Sequence, residues 1–197
     1  MENKKRCKWV DLKSSLYKKY HDEDWGVPVH DDRLLFEMLT LEIAQAGLSW
    51  ITILKKRKCY KDSFDDFDVA AIAIYQQDKI DKLLGNKGIV RNKRKIESTI
   101  KNANVFIEIQ KEFNSFDSFI WAFVEGKVIR DNFSNASELP TKTVLSQKIS
   151  DELKKRGMIF VGPTIVYAFM EAIGMVNDHE VDCFRYNEIE NINLDRK

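Results

Sequence analysis

The chain has 197 residues, enough for one large domain or two small ones with a core that needs no disulfide staples. Apolar residues make up 44% and charged residues 32%, the balance of a soluble globular protein, and the absence of any run of about 18 apolar residues excludes a membrane-spanning helix. The formal net charge of +1 hides an uneven distribution: Lys79 to Lys101 holds eight Lys/Arg against two Asp/Glu, the pattern of an oriented charged face or of a solvated helix surface.

In chain order, MENKKRCKWVDLK is basic but lacks the apolar stretch of a signal peptide, so an intracellular, cytoplasmic protein is expected. Three cysteines in a reducing compartment argue against disulfides and leave metal or core roles open. Residues 1–31 show little periodicity and are rich in aromatics. Residues 32–46, DRLLFEMLTLEIAQA, place Leu35, Met38, Leu39 and Ile43 at helical spacing, with Gly47 as terminator. SWITILKKRK follows, with Ser49 as a candidate N-cap. Further helices are expected over DKIDKLLG, RNKRKIESTIKNANVFIEIQKEF, SFDSFIWAFVEG, LSQKISDELKKRG and GPTIVYAFMEAIG, several closing on Gly85, Gly126, Gly157 or Gly174. Pro28, Pro140 and Pro163 each fit a loop or a first helical turn. There is no series of alternating strands, no repeat and no low-complexity linker. The expectation is an all-α single domain over 1–197, with a helical core of about 32–175 and terminal segments 1–31 and 176–197.

Three constellations carry chemistry. Residues 176–183 read VNDHEVDC, which puts His179 and Cys183 four positions apart on one face of a helical turn. Cys7 and His21 are available as partners, and a Cys₂His₂ set is zinc chemistry; four protein ligands fill a tetrahedral shell, so such a zinc is structural. Buried cysteines and hydrogen-bonded histidines account for the same residues without a metal.

Trp9, Trp25 and Trp50, three of the four tryptophans, fall in the first fifty residues together with Tyr17 and Tyr20. Such rings suit a site with a flat apolar surface and a polar end, as a flipped nucleobase requires, or an ordinary aromatic core. Glu42 stands in LTLEIAQAGLSW, otherwise uncharged from Thr40 to Thr52. It either points to solvent or faces inward towards a cationic, donor-rich ligand.

Residues 80–97, IDKLLGNKGIVRNKRKIE, read as helix, Gly-containing turn and a second helix opening on a basic cluster. Gly85 and Gly88 allow close backbone approach, and Arg91, Lys93, Arg94 and Lys95 surround an N-terminus able to hold a phosphate. A plain helical hairpin with a solvated basic face is the competing reading.

The segments CKWV, YHDEDWGVP, LFEMLTLEIAQAGLSW, GIVRNKRKI, KKRGMIFVGPTIVYAFM and GMVNDHEVDC, running from Cys7 to Cys183, resemble the 3-methyladenine DNA glycosylase I family. The resemblance implies a helix–hairpin–helix DNA glycosylase fold with a zinc clasp joining the terminal segments, one structural zinc per chain, and Cys7, His21, His179 and Cys183 as its ligands. It places Trp9, Tyr17, Tyr20, Trp25 and Trp50 around a base pocket with Glu42 at the polar end. It makes Leu48, in AGLSW, the wedge that enters DNA, and Gly88, Arg91, Lys93, Arg94 and Lys95 the phosphate grip. The implied enzyme is monofunctional and monomeric. It acts on double-stranded DNA carrying alkylated bases and releases free 3-methyladenine. A zinc-stabilised DNA-binding module and a zinc hydrolase are the rival classes.

Overall fold

The computed structural model describes residues 4–194; the outer ends of both expected terminal segments, 1–3 and 195–197, lie outside them. The described chain is mainly helical, and no helix is long and apolar enough to cross a membrane.

Helix α2 (Asp32–Gln45) is the axis of the molecule. Every residue from Leu35 to Ala44 is buried, so the helix is covered on nearly all sides. Asp31 caps it, its carboxylate accepting from Leu34 N at 2.9 Å. Asp32 next to it accepts from the backbone N–H groups of Phe116 and Asp117 at 2.9 and 2.8 Å and from Gln110 Nε2 at 2.7 Å. One carboxylate thereby ties the start of α2 to the start of α7 (Phe116–Trp121) and to α6 (Lys93–Phe113). Around α2 also pack α3 (Trp50–Ser63) and α9 (Pro163–Ala172), while α8 (Val144–Lys155) packs on α9. Phe36, Phe106 and Phe116 meet at the centre, with ring centroids 5.2 and 4.1 Å apart in succession. The short helices α4 (Val69–Ala73) and α5 (Gln77–Gly85) complete this body against α6.

The expected helix starts hold closely. Pro163 sits in the first turn of α9, and Ser49 occupies the N-cap position of α3, although its hydroxyl pairs with Thr52 Oγ1 at 2.8 Å rather than with a backbone N–H. Gly126, Gly157 and Gly174 adopt φ of +70°, +103° and +68° as terminators, but Gly85 does not: it is the last residue of α5, without positive φ, and Asn86 is the cap. At Gly174 no side chain fits, because a Cβ would lie 2.4 Å from the Val27 carbonyl carbon and 2.5 Å from Pro28 N. Residues 26–29 cross over the end of α9 at that point, with Gly26 N donating to Glu171 O and Val29 N to Ile173 O.

Among the described residues, one small departure from an all-α fold occurs. Ile129–Arg130 and Val176–Asn177 form a parallel pair, β1 and β2, of two residues each. Two residues carry no readable alternation, and the pairing brings together segments far apart in the chain.

The terminal segments, together with Leu54 of α3, form a second apolar cluster of Cys7, Val10, Tyr20, Trp25, Leu54 and Cys183, with Trp50 touching both this cluster and the helical core. Its elements are α1 (Ser15–Lys19) and a π-helical turn over Tyr20–Asp24, both short, and the longer α10 (Phe184–Leu194), none of which the sequence pattern announces. The two ends of the chain are stitched directly, Phe184 N to Lys5 O at 2.9 Å and Lys8 N to Glu180 Oε1 at 3.2 Å.

Candidate active site

A cavity of about 270 Å³ lies where the terminal cluster meets α2, α3 and α9. Its walls include all five aromatics singled out in the sequence, Trp9, Tyr17, Tyr20, Trp25 and Trp50, together with Glu42. Trp9 meets Tyr17 and Trp25 edge to face, with centroids 5.8 and 4.9 Å apart, and Tyr20 packs tilted against Trp50 at 5.2 Å. The buried Trp50 Nε1 has no hydrogen-bond partner in the protein. Four wall residues escaped the sequence reading: Gln45, Leu139, Ala168 and Glu171. Of these, Glu171 was legible by the criterion that singled out Glu42, for it is the lone charge in GPTIVYAFMEAIG.

Two buried glutamates on α2 show what is unusual about Glu42. Glu37, 4% exposed, is met by Arg57, whose Nε donates at 2.6 Å while its Nη1 reaches Asp24 at 2.7 Å. Glu42, 5% exposed, has no such cation, and burial alone pushes its carboxyl up to about 8. Burial thereby favours its protonated form, and a cation entering the cavity favours its charged form. Burial first, then the neighbouring Glu42, Glu171 and Asp24, hold the Tyr20 phenol well above its ordinary value, so it remains a hydrogen-bond donor.

Behind Trp9 and Trp25 the cysteines and histidines of the terminal segments assemble. Cys7, His21 and Cys183 bring their ligand atoms within 4.8 Å of one another, all buried. His179 stands beside them, its ring 5.1 Å from His21 and 4.5 Å from Trp25. Both imidazoles are held through Nδ1, His21 by Asp22 at 2.8 Å and His179 by Asn177 at 3.0 Å, and Asp22 is itself gripped by Arg6. His21 Nε2 lies 3.4 Å from Cys183 Sγ, and His179 Nε2 is buried with no partner. Burial, followed by the His21 charge, depresses His179 to about 3 and keeps it neutral; Cys183 is lowered to about 5, first by the hydrogen bond from Cys7. Cys7, His21 and Cys183 thus converge, thiol and imidazole ligand types that suit a zinc ion, and His179, its Nδ1 held and its Nε2 without a partner, stands just outside them.

The basic hairpin is less uniform than its sequence. Arg91, Lys93 and Arg94 are exposed, Lys93 loosely paired with Glu97 at 3.7 Å and Arg94 5.9 Å above the Phe160 ring. Lys95 turns inward and donates to the carbonyls of Ala44 and Ala46 at 2.8 and 2.6 Å, capping the end of α2. Gly88 is also internally committed: its N–H donates to Asn86 Oδ1 at 2.7 Å, and a Cβ there would lie 2.9 Å from Cys59 Cβ. These two residues therefore build the hairpin and its seat on α2 and α3 instead of offering groups outward. Leu48, 43% exposed, projects from the turn after Gly47, which has φ +80°.

Residues 9–186 match the family model for methyladenine glycosylase. The chain is 45% identical to DNA-3-methyladenine glycosylase 1 of Escherichia coli (strain K12), over 92% of this chain and 96% of that protein. It superposes on a crystal structure of 3-methyladenine DNA glycosylase I with a TM-score of 0.88 at 46% identity, covering 91% of this chain and 98% of the other. A variant of 3-methyladenine DNA glycosylase I solved in complex with 3-methyladenine matches with a TM-score of 0.85 at 36% identity, covering 88% and 93%. A match over nearly the whole chain in both sequence and fold is decisive: the chain belongs to the methyladenine glycosylase family.

Proposed function

We propose that this protein hydrolyses the N-glycosidic bond of N3-methyladenine in alkylated DNA, releasing the free base and leaving an abasic site. One observation carries this reading: a buried carboxyl without a cationic partner stands at the wall of a purine-sized aromatic cavity. Methylation at N3 gives adenine a formal positive charge, and breaking the glycosidic bond discharges it, so the base leaves neutral with little need for a general acid. The chain's task is selection. Stacking contributes about 1–3 kcal/mol per base, and a cation over an aromatic face adds roughly 0.5–2 kcal/mol. Glu42 accepts hydrogen bonds from the exocyclic amino group, and its charged form is stabilised by the same cation. N7-methylguanine presents an acceptor oxygen where adenine presents a donor and is expected to be a poor substrate.

The DNA sits across the hairpin and Leu48. Arg91, Lys93 and Arg94 grip phosphate at the N-terminus of α6 in helix–hairpin–helix fashion, and Leu48 fills the space left by the expelled nucleotide. One structural zinc, held by Cys7, His21, His179 and Cys183, fastens the terminal segments that carry four of the cavity's five rings. The orphaned His179 Nε2 and the fixed Nδ1 atoms of both histidines support this ligand set.

Chromatography of bases released from methylated DNA tests the function. Wild type should release 3-methyladenine well above the spontaneous rate. Glu42→Ala should release it about ten- to a hundred-fold more slowly, the loss of one charge-assisted hydrogen bond in a dry site. No release by wild type overturns the enzyme reading in favour of a DNA-binding module. Elemental analysis should find about one zinc per chain.

A further inference from the structure

The cavity holds two carboxyls, and the second has no assigned task. Glu171, in the last turn of α9, lines the same cavity as Glu42, and neither Lys nor Arg is among the wall residues. Its backbone is pinned, the carbonyl accepting from Gly26 N and Gly174 N at 3.1 and 3.2 Å. Its side chain is hydrogen-bonded to Asp178, whose Oδ2 also accepts from Tyr167 Oη at 2.6 Å. Burial first, then Asp178 and Glu42, raise Glu171 well above its ordinary value. The other titratable groups around it are Glu42 from α2, Tyr20 from the π-helical turn and, further out, Asp24 and Asp131. Arg57 is already engaged by Glu37 and Asp24.

We propose that Glu171 is a specificity-determining residue of the base cavity: a second carboxyl, held in place by Asp178 and Tyr167, that favours a cationic purine over a neutral one. The proposal rests on the base-excision reading and deepens it. Two adjacent carboxyls in a dry site cannot both ionise when the site is empty. A cationic base relieves that restriction, and the displaced proton leaves to solvent. A neutral base of the same shape stacks equally well on the rings but gains nothing from the charge.

The test uses free bases and the whole protein. Dissociation constants are measured for 3,9-dimethyladeninium, a fixed cation, and for neutral 9-methyladenine, with wild type and Glu171→Gln. The amide keeps the size of the side chain and can still donate to Asp178. The variant should bind the cation about ten-fold more weakly, or about 1.4 kcal/mol, with its affinity for the neutral base nearly unchanged. An equal loss for both ligands, or an unchanged ratio, overturns the proposal. A second measurement does not depend on that variant folding. In Glu42→Gln, calorimetry in buffers of different ionisation heat should detect proton release when the cation binds near neutral pH, and none with the neutral base. Absence of release overturns the role of Glu171. Failure of the enzyme reading is separate: wild type would release no 3-methyladenine from methylated DNA, whatever its preference between free bases.

Discussion

The helical core and the terminal cluster are held by different physics. The core is a continuous body of buried aliphatic and phenylalanine side chains around α2, and its long helices announce themselves by apolar spacing, whereas the five-residue α4 does not. The terminal cluster has few buried residues, two of them the cysteines of the proposed metal clasp, and both α1 and the π-helical turn in it are only five residues long. Area burial suffices for the first. The second has too little apolar surface to order itself by that means alone and depends on cross-links between distant parts of the chain. The cavity lies on the seam, so its two walls inherit different stabilities.

The strongest way to break this contrast is in the core. Phe106→Ala empties the space between Phe36 and Phe116 and should cost about 3–5 kcal/mol of global stability, to the same extent with or without chelator. A cost that depends on chelator would mean that core and cluster are one cooperative unit.

Glu42 tests the seam. Its carboxyl is raised from 4.5 to about 8 in the folded protein, so the folded state holds the proton more tightly than the unfolded chain. The associated stability is fully present below about 4.5 and is lost as pH rises through about 8. Glu42→Gln has no such dependence. Its melting temperature should draw level with and then exceed that of wild type between about pH 5 and pH 9, by up to a few kcal/mol in stability. A difference that does not change with pH would show that Glu42 carries no buried charge.

In the cluster, Asp22→Ala frees His21 Nδ1 and should weaken zinc binding about ten- to a hundred-fold in a competition titration. Its effect on melting should vanish once the metal is stripped; a persistent effect would assign Asp22 to the Arg6 ion pair instead. The smallest contrast divides the basic hairpin. Lys95→Ala uncaps α2 and should cost about 1 kcal/mol, whereas Lys93→Ala should change stability by less than about 0.5 kcal/mol. Only the latter is expected to flatten the salt dependence of DNA binding. The reverse pattern would exchange the roles of the two lysines.

The same division governs what could be read from the sequence. Helices α2, α6, α8 and α9 were legible because burial imposes a period, and Pro163 and Gly174 mark the ends of α9. The aromatic walls and Glu42 were legible because each violates local expectation. Lys95 and Gly88 were not, since a lysine at a helix start looks the same whether it faces solvent or bends back onto a neighbouring carbonyl. The β1–β2 pair and Lys8–Glu180 were invisible for another reason: they join residues whose proximity only the finished fold creates.

The stitching of the two ends has a consequence for how the protein is made. Lys8 waits for Glu180, 172 residues later, and His21 waits for Cys183, 162 residues later. During synthesis the first segment emerges long before either partner exists, while the body around α2 can already collapse. Trp9, Tyr17, Tyr20 and Trp25 therefore take their final places only after nearly all of the described chain has been translated. A chain that ends before Cys183 is therefore expected to lack the contacts that close the base cavity, however well the body around α2 has packed.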